Sequence, residues 1–262
     1  MITAQLVKEL RDRTGISMMD CKNALKETDG DVDKAIEVLR KKSVLKAEKK
    51  ADRATNEGAL VIGSGERFSF IIEVNTETDF AAKDQDFKLF LDSLREHCLE
   101  VAPTSLDQLN ETFKDNLLQI IQKIGENIKI SSYQLLEGSD SNISSYVHTD
   151  GKLAALVLLE NTNDDLGKDI AMQVAANNPI SISPEDIDQS ILDKEKEIAL
   201  ATLENENKPD DIKEKIVQGK LNKFKQENSL LEQIFIKNPD QKIKDLVQGN
   251  SILGIVRRKV GE

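Results

Sequence analysis

One stretch of this sequence narrows the fold more than any other. Phe68, Phe70, Ile72 and Val74 alternate at period two and predict a strand over 67–74. Asp84 or Gln85 then opens a helix in which Phe87, Phe90, Leu91, Leu94, Cys98 and Val101 recur at the 3-4-7 spacing of one buried stripe, ended by Pro103. A half-buried strand feeding a long one-sided helix requires a sheet with helices laid on it. The preceding strand, 58–62, joins through a Gly63-Ser64-Gly65-Glu66 hairpin, and a helix over 106–124 and a strand over 127–136 follow. The fold class is therefore α+β.

The plan recurs. A strand at 143–148, an Asp150-Gly151 hairpin turn, a strand at 153–159 and a helix at 168–176 repeat the order. The turn Asn75-Thr76-Glu77-Thr78-Asp79 parallels Asn161-Thr162-Asn163-Asp164-Asp165, with Phe80 after the first and Leu166 after the second. Two related α+β core subdomains are expected, 54–138 and 139–262. The second carries an insertion at about 184–226. Ser183-Pro184-Glu185-Asp186 starts a helix, with Pro at its first position, that runs to about 205 with Ile187, Ile191 and Ile198 on one stripe. Lys208-Pro209 restarts a second helix with Ile212, Ile216, Val217, Leu221 and Phe224, giving an antiparallel helical hairpin. A short element at 229–236, a helix at 241–247 and a strand at 252–256 complete this half.

Ahead of both lies a small helical module, 1–53 with its linker. Leu6, Val7 and Leu10 mark a first helix stopped at Thr14-Gly15. Ser17 with Asp20 three places on caps a second, containing Met18, Cys21 and Leu25. Asp31 opens a third with Val32, Ala35, Ile36 and Leu39. Residues 41–53 read as a helical or flexible linker.

Charge separates the parts. The chain carries −11 overall, yet residues 1–53 carry +3 and the remainder −14. An acidic body argues against direct nucleic-acid binding. Cys21 and Cys98 lie in different parts and predict no disulfide. No leader and no apolar run of membrane-spanning length is visible, so a cytoplasmic protein without a membrane partner is expected. No GxxxxGK[ST] or GxGxxG loop and no zinc-spaced cysteine pair occurs, so no cofactor, no metal and no catalytic residue is expected. His97 and Cys98 are adjacent on a helix and point about 100° apart, which disfavours a nucleophile–base pair. The chain reads as a binding protein, not an enzyme. A metabolite sensor built on the two halves, or an adaptor working through residues 1–53, are the competing readings.

Phe80 is the outlier. Aromatic residues make up only 4% of the chain, and this one sits in a polar turn beside Ala81 and Ala82, where an anchor for a partner's pocket would stand. Thr78-Asp79-Phe80-Ala81-Ala82-Lys83 resembles the Thr-Asp-Phe-Val-Ala signature of the elongation factor Ts family, with Ala81 where Val is usual. Thr14 to Lys22, Ile124-Gly125-Glu126-Asn127, Tyr146-Val147-His148, Asp169-Ile170-Ala171-Met172, Lys208-Pro209 and Val260-Gly261-Glu262 are similar to further family motifs, in family order. Gln173 stands where the family often has His. The resemblance implies a ubiquitin-associated-like N-terminal domain and a guanine-nucleotide exchange factor acting on elongation factor Tu, GDP-bound or nucleotide-free. It implies that Asp79, Phe80, Ala81 and Ala82 disturb the partner's Mg²⁺ site. Met18, Met19, Ile124, Gly125, His148, Phe235 and Ile236 match further contact positions. Because adjacent helical residues cannot both face one way, one of Met18 and Met19 is expected in the core. A homodimer or a 2:2 complex with the partner is left open.

Overall fold

The computed structural model describes residues 2–139, 142–203 and 209–262. Three capped helices come first. Thr3 accepts the Leu6 amide to start α1 (Ala4–Thr14), Ser17 accepts the Asp20 amide to start α2 (Met18–Glu27), and Asp31 accepts the Lys34 amide to start α3 (Val32–Glu48). Leu10, Cys21, Ala24, Leu25, Ala35 and Leu39 enclose a small core between them. Of the two linker readings, helix holds as far as Glu48. Its second half is not free: Ser43 bonds Gln122, and Arg40 pairs with Asp115.

β1 (Glu57–Gly65), β2 (Phe68–Thr76) and β3 (Ile128–Glu137) form an antiparallel sheet in the order β1-β2-β3. A single turn, α4 (Asp79–Lys83), precedes α5 (Gln85–Val101) and α6 (Leu106–Ile124). The stripe of α5 holds as far as Cys98: Phe87, Leu94 and Cys98 are fully enclosed with Phe70, Ile72, Val74 and Leu109, whereas Val101, expected on the same stripe, is exposed at the last position before Ala102 turns left-handed.

β4 (Ile143–Val147) and β5 (Leu153–Leu159) lead to α7 (Asp164–Asn177), which starts a turn before the expected 168 because Asn163 accepts the Leu166 amide. The expected single helix from Ser183 is corrected. Asp186 does accept from the amide and hydroxyl of Ser183, but Pro184–Asp186 make only one 3₁₀ turn. Ile187 then leaves helical geometry and is buried, and Asp188 caps a fresh helix, α8 (Gln189–Ala201). α9 (Asp210–Asn228) packs on it. The seam is also rotated from the expected stripe. Ala199, Leu203 and Val217 are buried together, whereas Ile191, Ile198 and Ile212 face outward. The expected helix end near 205, and Lys208 of the Lys208-Pro209 motif, lie outside the described residues.

A short hairpin that the sequence did not suggest, β6 (Ile234–Phe235) with β7 (Asn238–Lys242), precedes α10 (Ile243–Leu246) and β8 (Ile252–Lys259). β8 pairs with β5, giving a second antiparallel sheet, β4-β5-β8. α7, Leu230, Phe235 and Ile243 close its core.

The two sheets meet. Ile71 packs with Ile143, Ala154 and Leu156, so β2 is buried on both faces and not only on its Phe70–Ile72–Val74 face. At this junction the buried Glu73 carboxylate accepts from Asn75 Nδ2 at 2.8 Å and from the Gly261 amide at 2.9 Å. The pairing satisfies a charge that would be costly to bury alone. Among the described residues, no helix is long and apolar enough to cross a membrane.

Candidate functional site: an exposed aromatic tip

Where β2 ends, the Thr76 hydroxyl donates to the Thr78 carbonyl at 2.8 Å and bends the chain. Thr78 is extended, and its Oγ1 accepts the Ala81 amide at 3.3 Å, so the sequence read as a polar turn is the capped helical turn α4. Asp84, extended again, ends α4 and caps α5. Within one turn, successive side chains diverge by about 100°. Ala81 is thereby buried and Ala82 packs against the first core, while Phe80 is 80% exposed. The structure thus separates the four tip residues: two alanines face inward as a foundation and the ring faces water.

Asp79 accepts from Lys83 Nζ at 2.7 Å. This hydrogen bond holds its carboxyl below the usual carboxylate range, with the charges of Lys83 and Lys152 contributing. Lys152 belongs to the β4–β5 hairpin and pairs with Glu57, which raises its own pKa. His148 occupies the same hairpin, exposed, with Nδ1 3.1 Å from Asp150 Oδ1. Asp150 is held low by the Lys152 amide first and by His148 second. Lys152, on the hairpin that carries His148, therefore acts on Asp79 through its charge.

Ile124 is half-buried on the first core, and Gly125 ends α6 in the left-handed region at φ +87. This reversal places Glu126 and Asn127 beside Glu77 and Thr78. The N-terminal helices reach the same neighbourhood: Lys50 Nζ bonds the Gly125 carbonyl, and Gly15 lies against the Lys123 side chain, whose ammonium pairs with Asp86.

Two expectations about apolar contacts need correction. Met18 is 49% and Met19 66% exposed, so neither is core. They are the first two residues of α2, and Ile16, before the Ser17 cap, takes the core position and meets Cys21 in the manner of a hydrophobic staple. Phe235 is buried in the second core, whereas Ile234 and Ile236 on either side are exposed. Ile234 and Phe235 alternate along β6, and Ile236 follows in the turn to β7. Ile234 was missed by the sequence reasoning. Gln173, noted in the sequence only as standing where the family often has His and given no role, is fully buried on α7: its Nε2 donates to the Ile234 carbonyl and Gln233 Oε1 at 3.1 Å, and its Oε1 accepts the Ile236 amide at 2.9 Å. A polar residue in the apolar stripe of Ile170, Ala171 and Val174 was the available signal.

The cap positions also change the register between the two turns. Thr78 and Asn163 are the matching caps, so Phe80 corresponds to the exposed Asp165, and Leu166 corresponds to the buried Ala81. Aligning the two turns residue by residue in the sequence had placed Leu166 opposite Phe80.

Residues 77–262 match the family model described as Elongation factor TS. Curated relatives named elongation factor Ts align along the whole chain. The protein from Marinobacter nauticus is 45% identical, that from Teredinibacter turnerae 43% and that from Saccharophagus degradans 42%, each covering 100% of this chain and 91%, 91% and 92% of the relative.

Proposed function

Since this chain belongs to the elongation factor Ts family, and is thus a translation elongation factor, we propose that it is a guanine-nucleotide exchange factor that binds elongation factor Tu and drives GDP off it. The observation that carries the reading is Phe80, an aromatic ring 80% exposed on a turn whose neighbouring alanines are packed into the core. A ring already held outward enters a partner's pocket with little ordering cost.

The physics of the step is simple. GDP is held by backbone amides around its phosphates and by Mg²⁺, and Mg²⁺ demands near-ideal octahedral geometry. A wedge that displaces the elements around the metal weakens the phosphate site without any covalent chemistry in this chain. Phe80 is the wedge, Asp79 its polar companion, and Ala81 and Ala82 support it from behind. Burying one Phe is worth roughly 1.5–3 kcal/mol, whereas inverting a lopsided two-state equilibrium takes about 5.5 kcal/mol. Other surfaces must contribute: Met18 and Met19, Ile124 and Gly125, His148, and Ile236 with its neighbour Ile234. Phe235 serves by holding that segment. Linkage makes the effect reciprocal, so GDP weakens this protein's binding by the same factor.

In this reading residues 1–53 form a ubiquitin-associated-like domain and linker. The core consists of two related subdomains, 54–138 and 139–262, with an antiparallel helical hairpin inserted at about 184–226. The work is done in the cytoplasm. Release of fluorescent GDP from elongation factor Tu tests the proposal. Acceleration by wild type, with residual acceleration by Phe80→Ala, is the expected result. A Phe80→Ala variant as fast as wild type would remove the wedge, and a well-folded wild type that fails to accelerate release would remove the exchange function.

A further inference from the structure

Glu126 directs both of its carboxylate oxygens to one residue. Oε2 accepts the Thr78 amide at 3.0 Å and Oε1 accepts the Thr78 hydroxyl at 2.7 Å. Thr78 is the cap of α4, and the same hydroxyl oxygen accepts the Ala81 amide. A threonine hydroxyl has one proton and can rotate. With that proton committed to Glu126, a lone pair is left facing Ala81. Donation to a charged acceptor strengthens the first bond and polarises the second.

The arrangement is reciprocal. Glu77 Oε1 accepts the Asn127 amide at 2.6 Å, while Glu126 accepts the amide of Thr78, so each acidic side chain holds the residue beside the other. Asn127 Nδ2 extends the clamp to the Ala51 and Arg53 carbonyls at 3.2 and 3.0 Å. The segment after α6 is thereby locked to the segment before α4. From these contacts we infer that Glu126 is a positioning residue for the aromatic tip: through Thr78 it fixes the direction in which Phe80 leaves the body, without itself touching the partner. The inference rests on the exchange reading above.

The test has two parts, both on the full chain. In the free protein, Glu126→Ala is expected to lower the hydrogen-exchange protection of the Ala81 and Ala82 amides while leaving the protection of α5 unchanged. In GDP release from elongation factor Tu, the maximal rate is expected to fall about tenfold, with the half-saturating concentration changed by less than about twofold, and Glu126→Gln, which keeps the shape and one acceptor oxygen, is expected to lie between. In a Phe80→Ala background, Glu126→Ala should cost less than about a further twofold, since residues acting through one another are not additive. Unchanged amide protection, an unchanged maximal rate, or a full tenfold loss on top of Phe80→Ala would each overturn the inference. If wild type accelerates release and Glu126→Ala matches it, this inference alone falls. If wild type itself does not accelerate release, the exchange reading falls and takes the inference with it.

Discussion

The turn after β2 and the turn after β5 start alike and end differently. Each is capped by a short polar side chain, Thr78 in the first and Asn163 in the second, bonding the amide three residues on. From Asn163 the helix runs unbroken for 14 residues, with Asp165 in solvent and Leu166 packed on the second core. From Thr78 it lasts 5 residues before Asp84 turns extended, and a phenylalanine stands where the other turn has Asp165. The contrast shows what local sequence buys: one cap serves two ends, a plain helix start and a rigid pedestal for an apolar ring. The exposed ring adds nothing to this chain's own core.

Exchanging the residues at the matched position is expected to have the largest effect. Phe80→Asp should slow the maximal release of GDP from elongation factor Tu by about a hundredfold or more, since it removes the burial of a Phe and adds a charge. Its stability to urea should stay within about 0.5 kcal/mol of wild type, the ring being exposed. Asp165→Ala should leave release within about twofold of wild type. Equal losses from both would break the comparison.

The pedestal itself is the next target. Gly125 adopts φ +87 with open space around its absent Cβ, so Gly125→Ala meets backbone strain and no collision. The expected cost in urea unfolding is about 1–2 kcal/mol, accompanied by slower release because Glu126 shifts. The two caps give a smaller and more selective effect. Thr78→Ala and Asn163→Ala should each cost about 1 kcal/mol of stability, but only Thr78→Ala should also lower the release rate. Loss of release in both would mean that release follows general stability and not the tip.

The smallest effect is silent near neutral pH. The first core encloses Cys98, whose thiol burial pushes from 9.0 up to about 11. The folded state favours the protonated thiol. Its contribution is therefore complete below pH 9 and declines as pH rises toward 11, where the unfolded chain loses the proton first. Urea midpoints of wild type should drop across that window more steeply than those of Cys98→Ala.

Local pattern carried much of this architecture. Period two in β2, the stripe of α5, the ends of α6 and the Asp150-Gly151 turn were legible because each depends on residues close in sequence. The burial of Ile71 was not, since it depends on a sheet formed some seventy residues later. The break at Ile187 and the outward Ile191 and Ile198 were hidden for the same reason: the pattern offered a stripe, and packing chose another. At the candidate site, Phe80 announced itself as an aromatic in polar company. Glu126 did not, because its contacts to Thr78 reach 48 residues back across the fold.

One contact sets a clock on the molecule. The Glu73 carboxylate is complete only when the Gly261 amide arrives, 188 residues further along the chain. At translation rates of about 5–20 residues per second, the wait is on the order of 10–40 s. Until then, of these two donors only Asn75 has been made. The junction between the sheets is therefore completed late in the life of each molecule, when the end of the chain closes on a strand made near its start.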